Sequence, residues 1–136
     1  MAASSMPTEA CPDAALMLRI AQRDLKAARS MLDEEAFEEA FEEATWGYQI
    51  QQATEKALKA WISCLGQDYP RTHDLLLLCG LISDLGADPS PFQRLVNFSP
   101  FGTRLRYDEE ESLGLDRPLW NQRCADLLAH VASRMP

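Results

Sequence analysis

The chain has 136 residues, 46% of them apolar and 25% charged, a composition that fits one globular domain and leaves too little length for two. Thirteen Lys and Arg against twenty-one Asp and Glu give a net charge of −8, so no general basic surface can neutralise phosphates and non-specific DNA binding is disfavoured. The cysteines at positions 11, 64, 79 and 124 form no Cys-x-x-Cys pair, which excludes a zinc knuckle or a thioredoxin-type motif and leaves buried, reduced thiols.

Residues 1–12 are small and polar and are broken by Pro7 and Pro12, so they read as a disordered tail before a single domain over 13–136. From Asp13, residues Leu18, Ala21, Leu25, Ala28 and Leu32 recur at intervals of three and four, which predicts an amphipathic helix over 13–33. Residues 33–43 carry seven carboxylates and no Lys or Arg, so most of that stretch must face water.

A second helix is predicted over 35–65, stopped by Gly66 and Pro70. It has two apolar faces. Phe37, Phe41, Ala44, Tyr48, Leu58, Ile62 and Leu65 fall on one side, and Trp46, Ile50, Ala53, Ala57, Trp61 and Cys64 on the other. Such a helix is either sandwiched inside its own bundle or uses its second face as a subunit interface. Gln52, Glu55 and Lys59 interrupt the first stripe at spacings that bring them into mutual contact, with Glu55 and Lys59 in the favourable order for an ion pair.

Thr72 is expected to cap a third helix over 72–85 that ends at Gly86 and turns Leu75, Leu78, Cys79 and Ile82 inward. Ser90-Pro91 opens a short fourth helix over 91–98. Ser99-Pro100, Gly102 and the acidic run 108–111 then form the least regular part of the chain, where function is most readily housed. Asp116 caps a last helix to about residue 134, with Trp120, Cys124, Leu127, Leu128 and Val131 on one face. No segment alternates with period two. The fold class is therefore all-α, an antiparallel up-and-down bundle of four to five helices. The apolar run that begins at residue 75 is far short of the roughly 18 residues of a membrane span, and no signal-peptide pattern opens the chain, so a cytoplasmic location is expected.

Residues 47–78, GYQIQQATEKALKAWISCLGQDYPRTHDLLLL, join Gln-x-Ala-x-Glu-Lys-x-Leu-Lys-Ala to Thr-His-Asp-Leu through a short loop. With the upstream IAQRDLKAARSML and the later Arg106-Tyr107-Asp108, this pattern resembles the HEPN family over roughly residues 16–132. The resemblance implies a prokaryotic helical module that binds a nucleotide or RNA, forms a homodimer, and stands beside a minimal nucleotidyltransferase partner in a toxin–antitoxin-like pair. Active members are metal-independent ribonucleases that use an Arg, four to six intervening residues and a His, with the motifs of two protomers meeting in one cleft.

Arg106 occupies the loop position of the family's catalytic Arg, but positions 111, 112 and 113 hold Glu111, Ser112 and Leu113. The general acid/base is thus missing there, and a carboxylate would repel a phosphodiester. This points to a binding module rather than an enzyme. The ribonuclease alternative rests on Arg123 and His130, which satisfy the spacing within the last helix and lie on nearly the same face about 10 Å apart along its axis. There, His would move a proton and Arg would stabilise phosphoryl charge, whereas packing at the edge of the apolar face is the competing reading.

His73 and Asp74, with Arg71 two residues earlier, could contact a phosphate at a helix start. Equally, Asp74 could complement the helix dipole and His73 could hydrogen-bond to the second helix. Arg94, Arg104 and Arg106, interleaved with Phe98, Phe101 and Tyr107, could hold a phosphate and stack a base, or be neutralised by the acidic run that follows. Arg104, Arg106 and Tyr107 therefore join the candidate ligand contacts. No metal-ligand spacing and no Gly-rich phosphate loop is encoded, so neither a metal nor a cofactor is expected. A third reading is a structural interaction subunit that masks an enzyme through the second apolar face of the second helix.

Overall fold

In the computed structural model, which describes residues 12–31, 39–98 and 116–135, α1 spans Pro12–Ser30. Its stripe of Ala14, Leu18, Ala21, Leu25 and Ala28 is buried throughout. The helix starts one residue earlier than expected, inside the proposed tail, because Pro suits a first helical turn, where its missing N–H is not needed. It stops three residues short of the expected 33, and the rest of the tail, residues 1–11, lies outside the described residues.

Helix α2, Glu39–Cys64, is the centre of the molecule and packs against α1 and every helix that follows. Ala53, Ala57 and Ala60 are fully buried beside the equally buried alanines of α1, and residues this small let helices approach closely. Among the described residues both apolar faces are covered within one chain: Trp46, Ile50 and Trp61 on one side and Leu58 and Ile62 on the other are each at most 1% exposed, Tyr48 and Leu65 are half-buried, and Phe37 lies outside the described residues. The sandwiched alternative therefore holds. The chain's own helices fill the second face of α2 over Trp46, Ile50, Ala53, Ala57 and Trp61, so that face offers little surface to a second subunit or a masked enzyme. Gly66, at φ +86°, ends the helix, with the Gln67 N–H donating to the Ile62 carbonyl at 3.3 Å.

The third helix, α3, runs Leu75–Asp84, three residues later than expected. Asp74, not Thr72, is its cap: one carboxylate oxygen accepts from the N–H of Leu76 at 3.0 Å and of Leu77 at 3.2 Å. Thr72 Oγ1 instead accepts from the Asp74 N–H at 3.1 Å and turns the chain into that cap. Leu75, Leu78, Cys79 and Ile82 face the core as their spacing implied.

Ser90–Phe98 is a 3-10 helix rather than an α-helix. It opens with the Phe92 N–H donating to the Pro89 carbonyl, an i to i+3 closure, while the Asp88 carboxylate, not Ser90, caps the entry by accepting from the Ser90 N–H. Leu95 anchors it in the core.

Asp116 caps α4, Arg117–Ser133, by accepting from the Leu119 N–H at 3.1 Å. Cys124, Leu127, Leu128 and Val131 are buried as expected, and Trp120 is half-buried. The Trp46 indole donates to Asn121 Oδ1 at 2.8 Å, tying α2 to α4 inside the core. The described residues thus form an all-α bundle without a strand, and no helix among them is long and apolar enough to cross a membrane.

Candidate functional site

Residues 51, 55 and 59 are each one turn apart on α2, so their side chains stack in a row facing the loop that leads into α3. Glu55 stands at the middle of that row and is only 1% exposed. Its Oε1 accepts from Gln51 Nε2 at 3.1 Å and from His73 Nδ1 at 2.8 Å. Its Oε2 accepts from Lys59 Nζ at 3.0 Å, with Lys56 Nζ at 3.8 Å. Burial pushes the Glu55 carboxyl up, but the hydrogen bonds from His73 and Lys59 and the Lys59 and Lys56 charges outweigh it, so the group ends below its ordinary value. Asp24 on α1 feels the same field; burial raises its carboxyl more than Lys56 and Arg23 lower it.

An ionised Glu55 fixes the tautomer of His73. The proton sits on Nδ1, which leaves Nε2 as the free ring nitrogen on a side chain 67% exposed. Gln51 reinforces the placement by reaching the His73 carbonyl at 3.4 Å. Lys59 lies over the Tyr69 ring at 5.6 Å, and the Tyr69 hydroxyl is raised by burial and by Asp13 and Asp68.

Gln52 does not touch Glu55, contrary to the spacing argument. It donates to Gln51 Oε1 at 2.9 Å and accepts from Lys56 at 2.7 Å, one layer further out. Sequence reasoning picked the wrong glutamine of an adjacent pair, although Gln51 is the one that begins the Gln-x-Ala-x-Glu pattern four residues before Glu55. Arg71 is exposed and forms no hydrogen bond or ion pair with the described residues. Because Asp74 already occupies the first N–H groups of α3, an anion arriving there would meet the side chains of His73 and Arg71 rather than a bare helix start.

The pair on α4 sits elsewhere. His130 is packed between Trp61, 4.7 Å away by ring centroids, and Phe92, 5.3 Å away. Its Nε2 is buried without a hydrogen-bond partner, and burial, helped by Arg134, lowers its pKa. Arg123 stacks over Trp120 at 5.0 Å, with its Nε also buried and unpartnered. Each member of the pair is thus held by its own aromatic contacts. Arg104, Arg106 and Tyr107 lie outside the described residues, as does Glu111. No group of three or more His, Cys, Asp or Glu among the described residues could hold a metal ion.

Cys79 and Cys124 are buried free thiols, raised by burial to about 11 and about 12, while Cys64 is half-buried. Cys124 lies 3.8 Å from the Thr54 hydroxyl inside the core.

A family model for the HEPN domain matches residues 14–117. The chain belongs to the HEPN family. The matched span contains the whole Gln51, Glu55, Lys59 and His73 cluster and stops at the first residue of α4, so Arg123 and His130 lie beyond it. HEPN membership suggests a function connected with nucleotides or RNA. No curated protein and no solved structure matches the chain significantly.

Proposed function

We propose that this HEPN chain is a nucleotide- or RNA-binding module that grips a phosphate with His73 and Arg71. The observation that carries the reading is the anchored imidazole: the buried Glu55 carboxylate holds His73 Nδ1 at 2.8 Å and turns the opposite ring nitrogen outward. With Nδ1–H held by Glu55, His73 donates from Nε2 to a phosphate oxygen only when the ring carries a second proton, and the Arg71 guanidinium, unpaired among the described residues, supplies a planar fork for the same group. With a chain charge of −8, attraction is local to this loop, so binding weakens steeply with salt. The family context supports the wider setting: a homodimer in the prokaryotic cytoplasm, paired with a minimal nucleotidyltransferase in a toxin–antitoxin-like system. A homodimer would use a surface other than the filled second face of α2.

The same Glu–His pair favours one second reading, a metal-independent ribonuclease. A carboxylate-oriented imidazole is the arrangement of a general base, here for a ribose 2′-hydroxyl. Incubating the chain with mixed RNA in the presence of a chelator, alongside its His73→Ala and His130→Ala variants, separates the readings. The binding reading expects intact RNA in all three samples and retention of RNA by all but His73→Ala. Cleavage lost only in His73→Ala would establish the ribonuclease, and cleavage lost only in His130→Ala would move the chemistry to α4.

A further inference from the structure

Helix α3 is apolar on both sides. Leu75, Leu78, Cys79 and Ile82 fill the core, yet Leu76 is 61% and Leu77 47% exposed. With Leu81 and Gly80 they floor an open groove of about 350 Å³ along the outer face of the helix. A Cβ at Gly80 would meet no neighbouring element within 4 Å among the described residues, so the glycine leaves a low point between leucines. The charged side chains lining the groove are both acidic, Asp74 at one end and Asp84 at the other, ten residues and therefore about 15 Å apart along the axis. Exposed Asp88 follows just beyond Asp84, its carboxyl held low by the Ser90 N–H and hydroxyl. The carbonyl end of the helix dipole adds further negative potential there.

We propose that this groove docks an amphipathic helical segment of a partner protein, with a short aliphatic face flanked by basic residues about ten positions apart. Leucines against leucines bury the floor, and the basic ends meet Asp74 and Asp84. Along the groove itself the acidic lining disfavours RNA, most of all at the Asp84 end, which is remote from His73 and Arg71. A second copy of α3 fits poorly, because laid antiparallel it sets Asp74 beside Asp84, and laid parallel it sets each against its own counterpart. The groove meets the His73 and Arg71 loop at Asp74, but its leucine floor and its Asp84 end do not depend on the phosphate reading.

The test uses the full chain and two fluorescent helical peptides about four turns long, identical in their leucine face, one flanked by Lys and one by Glu. Fluorescence anisotropy should show the Lys-flanked peptide binding at least about tenfold more tightly. Leu77→Asp and Leu76→Asp, both at exposed positions and verified as folded by circular dichroism, should abolish binding, while Asp84→Lys should erase the preference. Binding by neither peptide, equal binding by both, or unchanged binding by Leu77→Asp overturns the proposal. So does a dimer that Leu77→Asp splits in sedimentation, which would make the occupant a second copy.

Discussion

Removing the Glu55 carboxylate should be among the most damaging single changes in the chain. Glu55→Ala strips Lys59, whose side chain is only 10% exposed, of its partner at 3.0 Å, and takes the nearer of two acceptors from fully buried Gln51, leaving it only the His73 carbonyl at 3.4 Å. Breaking a buried pair in this way costs about 3–5 kcal/mol. Lys59 keeps its contact with the Tyr69 ring, which favours the lower end, so about 3 kcal/mol is expected, a large share of a typical 5–15 kcal/mol. The His73 bond adds little to that figure because its ring is mostly in water.

The double variant Glu55→Leu/Lys59→Met leaves no uncompensated charge and should cost less than Glu55→Ala alone. Urea unfolding followed by circular dichroism measures both. The pH dependence has a fixed sign. Because the carboxyl is held below its ordinary 4.5 despite burial, its stabilisation is complete above that value and disappears as pH falls through the lower folded-state value. The double variant should lack that acid loss. A cost below about 1 kcal/mol for Glu55→Ala, or a double variant as destabilised as the sum of the two single ones, would refute the reasoning.

Adjacent leucines on α3 should respond oppositely: Leu78→Ala empties a core position and costs about 2–5 kcal/mol, whereas Leu77→Ala stays within about 0.5 kcal/mol; equal costs in denaturant melts would contradict the register of that helix. For His130, burial and Arg134 lower the folded-state pKa, so stability is full above the ordinary 6.5 and falls as pH drops below it. His130→Phe should show a flatter melting-temperature profile between pH 7 and 5, and a profile matching the wild type would dismiss the buried-imidazole description. Alkylation of the native chain at pH 8, mapped by mass spectrometry, should label Cys64 well before Cys79 or Cys124, whose thiols burial has raised; early labelling of Cys124 would place it outside the core.

Periodicity carried most of the fold. The stripe from Leu18 to Ala28, the two-sided α2 and the Asp116 cap were legible because a regular helix writes its buried face into the sequence every three to four residues. The start of α3 was not, since Thr72 and Asp74 are both capping residues and only the folded loop decides which oxygen reaches the N–H groups of Leu76 and Leu77. Nor could side-chain pattern separate a 3-10 turn from a short α-helix after Pro89, because the difference lies in backbone closure.

Within the site, a hydrogen bond from His73 to the second helix was foreseen as one of two readings, but neither its acceptor, Glu55, nor the burial of Glu55 was. That burial depends on packing between segments eighteen residues apart. Choosing Gln52 over Gln51 was an error of one residue, about 100° around α2. For His130, the spacing from Arg123 showed a shared face but not that Phe92, from the 3-10 helix, lies against the ring.

The central claim is that His73 and Arg71 form a phosphate-binding pair set by Glu55. Its most direct test is the affinity of the chain for a short fluorescent RNA and for a ribonucleoside triphosphate at low salt, compared with His73→Ala and Arg71→Ala. Both variants replace exposed side chains and should fold normally. The expected result is measurable binding by the wild type, weakened about tenfold or more in each variant and falling with added salt. Binding that survives both substitutions, or none by the folded wild type, would contradict it.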